Sequence, residues 1–370
     1  MKKILLAFGT RPEAIKMAPV IRALEAHPNL QPVTCVTAQH RHMLDQILGL
    51  FDIAPEFDLD LMQPDQDLAK LSARILENLT PVLRQVKPDA VLVQGDTTTT
   101  FMAALASFYL QVPVGHIEAG LRTGDLQAPF PEEANRVLTS RLARWHFAPT
   151  ENNREALIRE GIPTDQIHKT GNTVIDALHW MQARIERGES SNETQELLSQ
   201  FNRPFILVTG HRRESFGHGF ESICQALKSV SENHPDLDIV YPVHLNPNVQ
   251  EPVLRLLGSR PNIHLIDPLG YEPFTALMGR SQLVITDSGG VQEEAPALGK
   301  PVLVTRNKTE RTEALDAGVR LVGTDQDAIG SEVDRLLNDP SYYQKMSNAV
   351  NPYGDGTAAS RIAAILGDEL

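Results

Sequence analysis

The sequence is poor in cysteine, in net positive charge and in long apolar runs, and each shortage closes off a class of protein. Of its 370 residues only Cys35 and Cys224 are cysteines. They lie far apart, each inside an apolar stretch (VTCV and SICQAL), so they read as buried thiols of a reducing compartment, with neither a disulfide framework nor a metal cluster to be built from them. With 34 basic residues against 47 acidic ones the net charge is −13, which disfavours nucleic acid and anionic membrane as partners. The opening MKKILLAFGTRP is broken by Gly9 and Pro12 too soon for a signal peptide, and no stretch reaches the length of a membrane span, so the expectation is a cytoplasmic protein. No G-x-G-x-x-G follows a strand and no G-x-x-x-x-G-K-[ST] occurs, which removes the dinucleotide fingerprint and the P-loop.

What is present is a 41% hydrophobic chain, long enough for two globular domains without staples. Predicted strands at Lys3 to Phe8, Val33 to Thr37, Ala90 to Val93 and Val114 to His116 alternate with amphipathic helices, and the second half repeats the pattern at Phe205 to Thr209, Ile239 to Val243, Ile263 to Ile266, Leu283 to Thr286 and Pro301 to Thr305. That alternation predicts an α/β protein of two Rossmann-like, doubly wound parallel sheets. Each half opens alike, with a strand, a glycine and an arginine at a predicted helix start: Gly9 and Arg11, then Gly210 and Arg212-Arg213. The boundaries read as 1–170 plus a returning C-terminal helix in 355–370 for the first domain and 171–354 for the second, with the crossover near Thr170 to Thr173. The polar stretch before Pro204 carries GESSN, read as a surface loop.

Open α/β sheets bind ligands at the carboxyl ends of their strands, and the residues there are rich in chemistry. Leu283 to Thr286 runs into Asp287-Ser288-Gly289-Gly290 and a predicted helix from Val291 to Leu298. The unpaired amides of such a helix start, with glycines that permit close approach, make a phosphate cradle. Glu293 and Glu294 one turn on suit a ribose diol, and Arg311 a second phosphate clamp. Asp96, after the strand AVLV, is either a helix cap or a catalytic carboxylate. Glu118 at a buried strand end is poor core material. Glu132 and Arg136, four apart, are either functional or a routine helical ion pair. Arg11, Lys16, His211, Arg212 and Arg213 put cations near predicted helix starts, where the dipole opposes them unless an anion intervenes.

Taken together, FGTRPEAIK, QGDTTTT, GHIEAGLRTG, PEEANR, TGNTVIDAL, GHRRESFG, YPVHLNPNV and TDSGGVQEEAPALGKPVLV resemble the bacterial non-hydrolysing UDP-N-acetylglucosamine 2-epimerases of the GT-B fold group, over nearly the whole chain. The resemblance implies two domains facing across a cleft, the first bearing catalytic carboxylates and the second binding UDP. It implies an isomerase that interconverts UDP-N-acetylglucosamine and UDP-N-acetylmannosamine, as a cytoplasmic homodimer without metal or nicotinamide, feeding surface polysaccharide synthesis. Carried over by position, the catalytic set is Asp96, Glu118, Glu132 and His211. The substrate contacts are Arg11, Lys16, Asp96, Glu118, Arg136, His211, Leu269, Phe274, Ser288, Gly289, Gly290, Glu294 and Arg311, with Leu269 meeting uracil through its backbone. Gln39, His40, Gln66, Glu133, Arg212 and His244 match a second, allosteric sugar-nucleotide site, from which His42 and Asp65 depart. The alternatives are a GT-B glycosyltransferase with the same UDP cradle, a hydrolysing epimerase, and a non-catalytic sugar-nucleotide sensor, which would tolerate loss of the three acids.

Overall fold

The computed structural model describes residues 1–370 apart from 39–40, 62–66 and 213–214, and apart from the side chains of Arg41, His42 and Asp316. The chain forms two compact units, Met1–His179 with Tyr353–Leu370, and Trp180–Pro352. In chain order the first contains β1 (Lys2–Phe8), α1 (Arg11–Ala26), β2 (Leu30–Val36), α2 (Arg41–Leu50), β3 (Phe57–Asp58), α3 (Leu68–Val86), β4 (Ala90–Gln94), α4 (Thr98–Tyr109), β5 (Val114–Ile117), α5 (Glu132–Leu142), β6 (Trp145–Ala148), α6 (Glu151–Arg159) and β7 (Ile167–Lys169). Helix α7 (Thr173–Glu186) carries the chain onward. The second unit holds α8 (Asn192–Ser199), β8 (Phe205–Thr209), α9 (His218–Asn233), β9 (Asp238–Pro242), α10 (Pro247–Leu257), β10 (Ile263–Ile266), α11 (Tyr271–Arg280), β11 (Leu283–Thr286), α12 (Gly289–Ala297), β12 (Val302–Val304), β13 (Val319–Leu321), α13 (Gln326–Asn338) and α14 (Pro340–Ser347), before α15 (Ala358–Glu369) rejoins the first.

Both sheets are parallel, and the order of their strands fixes where chemistry can sit. The first runs β3-β2-β1-β4-β5-β6-β7 and the second β10-β9-β8-β11-β12-β13. In each, the winding reverses beside the first strand, between β1 and β4 and between β8 and β11, and loops leaving a sheet at such a point diverge and open a crevice. The central strands are apolar throughout because helices cover both faces: Ile4, Leu5, Leu6, Ala7 and Phe8 are fully buried. Leu5, Val33 and Val91 align across three strands and pack against Leu79 and Leu83 of α3 and Ala103 of α4. In the second unit Ile206, Ile239 and Ile285 pack with Phe220 and Leu227 of α9.

Helix α15 lies on α1 with Ile362 and Leu366 fully buried. Its first amides, of Ala358 and Ala359, donate to the buried Asp176 carboxylate at 3.2 and 2.8 Å, and its far end is fixed by Trp145 Nε1 donating to Glu369 at 2.6 Å. Four short strands, β3, β6, β7 and β13, go beyond those predicted. Helix α12 begins at Gly289, so the two glycines are its first turn and not a turn ahead of it. The expected arginine at a helix start holds for Arg11; in the second half α9 begins at His218, and Arg213 lies outside the described residues. GESSN forms the turn between α7 and α8, and both cysteines are buried and free. Among the described residues no helix is long and apolar enough to cross a membrane.

Candidate active site

Three loops leaving β1, β4 and β5 carry the first group of candidate residues. Glu118 follows β5 directly and has φ +62°, a left-handed conformation that costs a non-glycine residue about 1 kcal/mol and must be held by its surroundings. It is held by side chains from three other elements. Lys16 Nζ of α1 donates to Oε2 at 2.5 Å, Gln94 Nε2 at the end of β4 donates to the same oxygen, and Asn172 Nδ2 donates to Oε1 at 3.3 Å. Lys16 and Glu118 retain side-chain exposures of 18% and 10%, enough for a ligand to reach a pair otherwise enclosed.

The capping role considered for Asp96 is taken by its neighbour. Thr97 is the N-cap of α4, its Oγ1 accepting from Thr100 N at 3.1 Å, and Asp96 stands one residue earlier. Oδ2 of Asp96 accepts from Arg136 Nε at 2.9 Å and from Nη2 at 2.6 Å, while Asn135 Nδ2 donates to its backbone oxygen at 2.8 Å. The Glu132–Arg136 ion pair that the spacing allowed does not form: Arg136 pairs with Asp96 and, at 3.0 Å, with Glu133. Burial opposes the Arg136 charge, but the two carboxylates outweigh it and hold its pKa above the ordinary value. Glu132 opens α5 with Oε2 buried and without a hydrogen bond among the described residues, a state that a ligand donor would relieve.

Glu13 organises this group, though sequence reasoning passed over it. It is buried, and one oxygen accepts from Gly9 N (3.1 Å), Thr10 N (2.8 Å) and Thr10 Oγ1 (2.7 Å) while the other accepts from Thr97 Oγ1 (2.8 Å). One carboxylate therefore ties the turn presenting Arg11 to the turn presenting Asp96. Burial pushes its pKa up despite these bonds. The capping box Thr10-x-x-Glu13 was the available signal. His116 is buried too, and desolvation brings its pKa down to about 3, so the neutral ring donates from Nε2 to the Gly95 carbonyl at 2.7 Å.

In the second unit the crevice lies between the loops after β8 and β11. Asp287, 2% exposed, accepts with Oδ2 from the amides of His211 (2.7 Å) and Arg212 (2.8 Å), so a residue read only as part of a turn holds one loop to the other. The His211 ring stacks on His244 with centroids 5.4 Å apart. Ser288 precedes α12 without capping it through its side chain, which leaves the amides at Gly289 and Gly290 for a ligand. The Arg311 guanidinium lies across Gly289, where a Cβ would fall 2.7 Å from Nη1. Arg311 donates to Glu293 at 2.7 Å and to Glu310 at 2.7 Å. The pair of acids read as diol acceptors is thereby divided: Glu293 is buried on Arg311, and Glu294, half-buried, is the one beside Gly290. Leu269 lies half-buried between β10 and α11, and Phe274 half-buried within α11.

Of the residues matched to a second nucleotide-sugar site, Glu133 lies in the first unit and Arg212 and His244 in the second. Gln39, His40, Gln66, Asp65 and Arg213 lie outside the described residues, as does the side chain of His42. Glu133 is 1% exposed and accepts from the amides of Thr123 (2.9 Å) and Gly124 (3.0 Å), while Arg212 and His244 adjoin His211.

The same chain matches, over residues 22–367, a family model described as UDP-N-acetylglucosamine 2-epimerase. It is 58% identical over 370 residues to the UDP-N-acetylglucosamine 2-epimerase of Salmonella typhimurium and 58% identical over 370 residues to that of Escherichia coli K12, covering 98% of both sequences in each case. Among solved structures, the UDP-GlcNAc 2-epimerase of Neisseria meningitidis bound to UDP-GlcNAc is similar at 50% identity and a TM-score of 0.88, over 99% of this chain and 100% of that one.

Proposed function

The chain belongs to the UDP-N-acetylglucosamine 2-epimerase family, and on that premise we propose that it interconverts UDP-N-acetylglucosamine and UDP-N-acetylmannosamine by eliminating and re-adding UDP. The proton at sugar C2 is not acidic, because C1 is an acetal carbon and no carbonyl stabilises the carbanion; direct abstraction and return of the proton is prohibitively slow. Elimination avoids the carbanion. A carboxylate takes the C2 proton while the C1–O bond breaks on the opposite face, its electrons leaving with UDP, and 2-acetamidoglucal remains. UDP then adds back at C1 as C2 is protonated on the other face.

The observation that carries this reading is the pair Asp96 and Glu118 at the ends of adjacent strands β4 and β5, neither of them a cap and each matched to a cation, Arg136 and Lys16. They and Glu132 serve as base and acid. Arg11 of the first unit, and His211, Arg311 and the amides at Gly289 and Gly290 of the second, are donors of the kind that stabilise charge developing on a leaving nucleotide as the bond breaks. Glu294 accepts from the ribose, Leu269 meets uracil and Phe274 lines the same pocket. In this reading the working form is a cytoplasmic homodimer whose product feeds surface polysaccharide synthesis. Nuclear magnetic resonance of UDP-N-acetylglucosamine with the pure protein in D2O tests the chemistry: deuterium enters C2 of both epimers. Turnover with C2 still protonated would sink the elimination route.

A further inference from the structure

The two oxygens of Asp287 are in unlike surroundings. Oδ2 is saturated by the amides of His211 and Arg212. Oδ1 is buried without a hydrogen bond among the described residues, and it lies 3.5 Å from Nδ1 of His211. A carboxylate oxygen that has lost water and gained no donor is a costly thing to leave in place. Here the missing donor is already beside it, and shortening the gap by about half an ångström makes an N–H···O bond of ordinary length. One face of the His211 ring stacks on the His244 ring, and the side chain is otherwise 43% exposed, free to close that gap.

We propose that Asp287 is the positioning residue for His211. With a diphosphate in the cradle, Oδ1 accepts a hydrogen bond from Nδ1–H, fixes the ring and favours its imidazolium form, and Nε2–H is thereby turned to the departing phosphate oxygen. The inference rests on the reading of His211 as a partner of the leaving UDP. Burial sets the His211 pKa below the ordinary imidazole value; Asp287 at the end of β11 opposes this and favours the charged form, while the His244 ring after β9 and the Arg212 guanidinium on its own loop push it further down. The arrangement is that of a second carboxylate fixing tautomer and charge through the far ring nitrogen.

The test uses the whole protein with 15N-labelled histidine and UDP as the ligand. In the UDP complex His211 carries a proton on Nδ1. In Asp287→Asn the amide oxygen still accepts from both backbone amides, so the loop is kept, but an N–H now faces the ring. The His211 pKa in the complex then falls by about one unit or more, the alkaline limb of the kcat profile moves to lower pH, and kcat falls by roughly 10- to 100-fold. The wild-type measurement needs no variant to fold. An unprotonated Nδ1 in the wild-type UDP complex, or an Asp287→Asn protein with unchanged His211 pKa and pH profile, overturns the proposal. A His211→Asn protein with normal turnover instead removes the reading on which it rests.

Discussion

The carboxylates of Asp96 and Glu118 are held by side chains of Arg136, Lys16, Gln94 and Asn172, so an isosteric amide can replace either without unfolding the first unit. Asp96→Asn and Glu118→Gln are expected to lower the chemical rate by about 10² to 10⁴, the range for a lost general acid or base, with UDP affinity nearly unchanged. Rapid-quench kinetics beside calorimetric titration of UDP separates the two quantities, and a parallel loss of UDP binding would return both acids to a structural role. His116 makes a different prediction. Its folded pKa of about 3 lies below the unfolded value near 6.5, so as pH falls the unfolded chain takes up the proton first. The stabilisation is intact above about pH 6.5 and is lost progressively toward pH 3. Urea midpoints measured from pH 7 to pH 4 should fall less steeply in His116→Gln, whose amide can keep the bond to Gly95, than in the wild type.

At the scale of elements, two glycines mark where a turn is fixed by what faces it. Gly120 has φ +95°, and a Cβ there would fall 2.3 Å from the Asn153 backbone oxygen. Gly120→Ala therefore shifts the loop that follows β5, and should both destabilise the first unit by a few kcal/mol and misplace Glu118, as read by melting temperature and kcat. At Gly289 the obstacle is the end of a flexible side chain, Arg311. Gly289→Ala is expected to leave the melting temperature within a few degrees and to weaken UDP binding, because it moves the guanidinium and crowds the helix start together. Much of this was open to sequence reasoning. β8, β10 and β11 are apolar runs closed by turn residues, and their limits fall where the pattern puts them. β3, β7 and β13 are two or three residues long, too short to show a period, and exist because a neighbour supplies their hydrogen bonds. The same limit governs the site: Glu13 and Asp287 act on backbone amides, Arg136 found Asp96 across 40 positions instead of Glu132 four away, and no local spacing encodes such partners.

On the scale of the whole molecule, the two units differ in how the chain composes them. The second is one continuous stretch, Trp180–Pro352, with a complete six-stranded sheet and its own core. The fragment 180–352 is expected to fold alone and to show dispersed amide resonances, and a molten spectrum would contradict its independence. The first is built from both ends of the chain. Deleting 353–370 uncovers α1, where burial of Ile362 and Leu366 alone contributes about 2 to 5 kcal/mol each on truncation to alanine, against a total stability of about 5 to 15 kcal/mol. That deletion is expected to leave the first unit unfolded, with loss of turnover and of its share of the far-ultraviolet circular dichroism.

The position of α15 also sets an order in time. A ribosome releases the amino-terminal strands first, yet the sheet they form cannot be sealed until α15 has been made and has left the exit tunnel. The middle of the chain, complete in itself, is free to fold while translation continues. The unit whose first strands emerge first is thus finished only after the second has been made, and the turn that Glu13 ties beside Asp96 belongs to a unit completed only once α15 is in place.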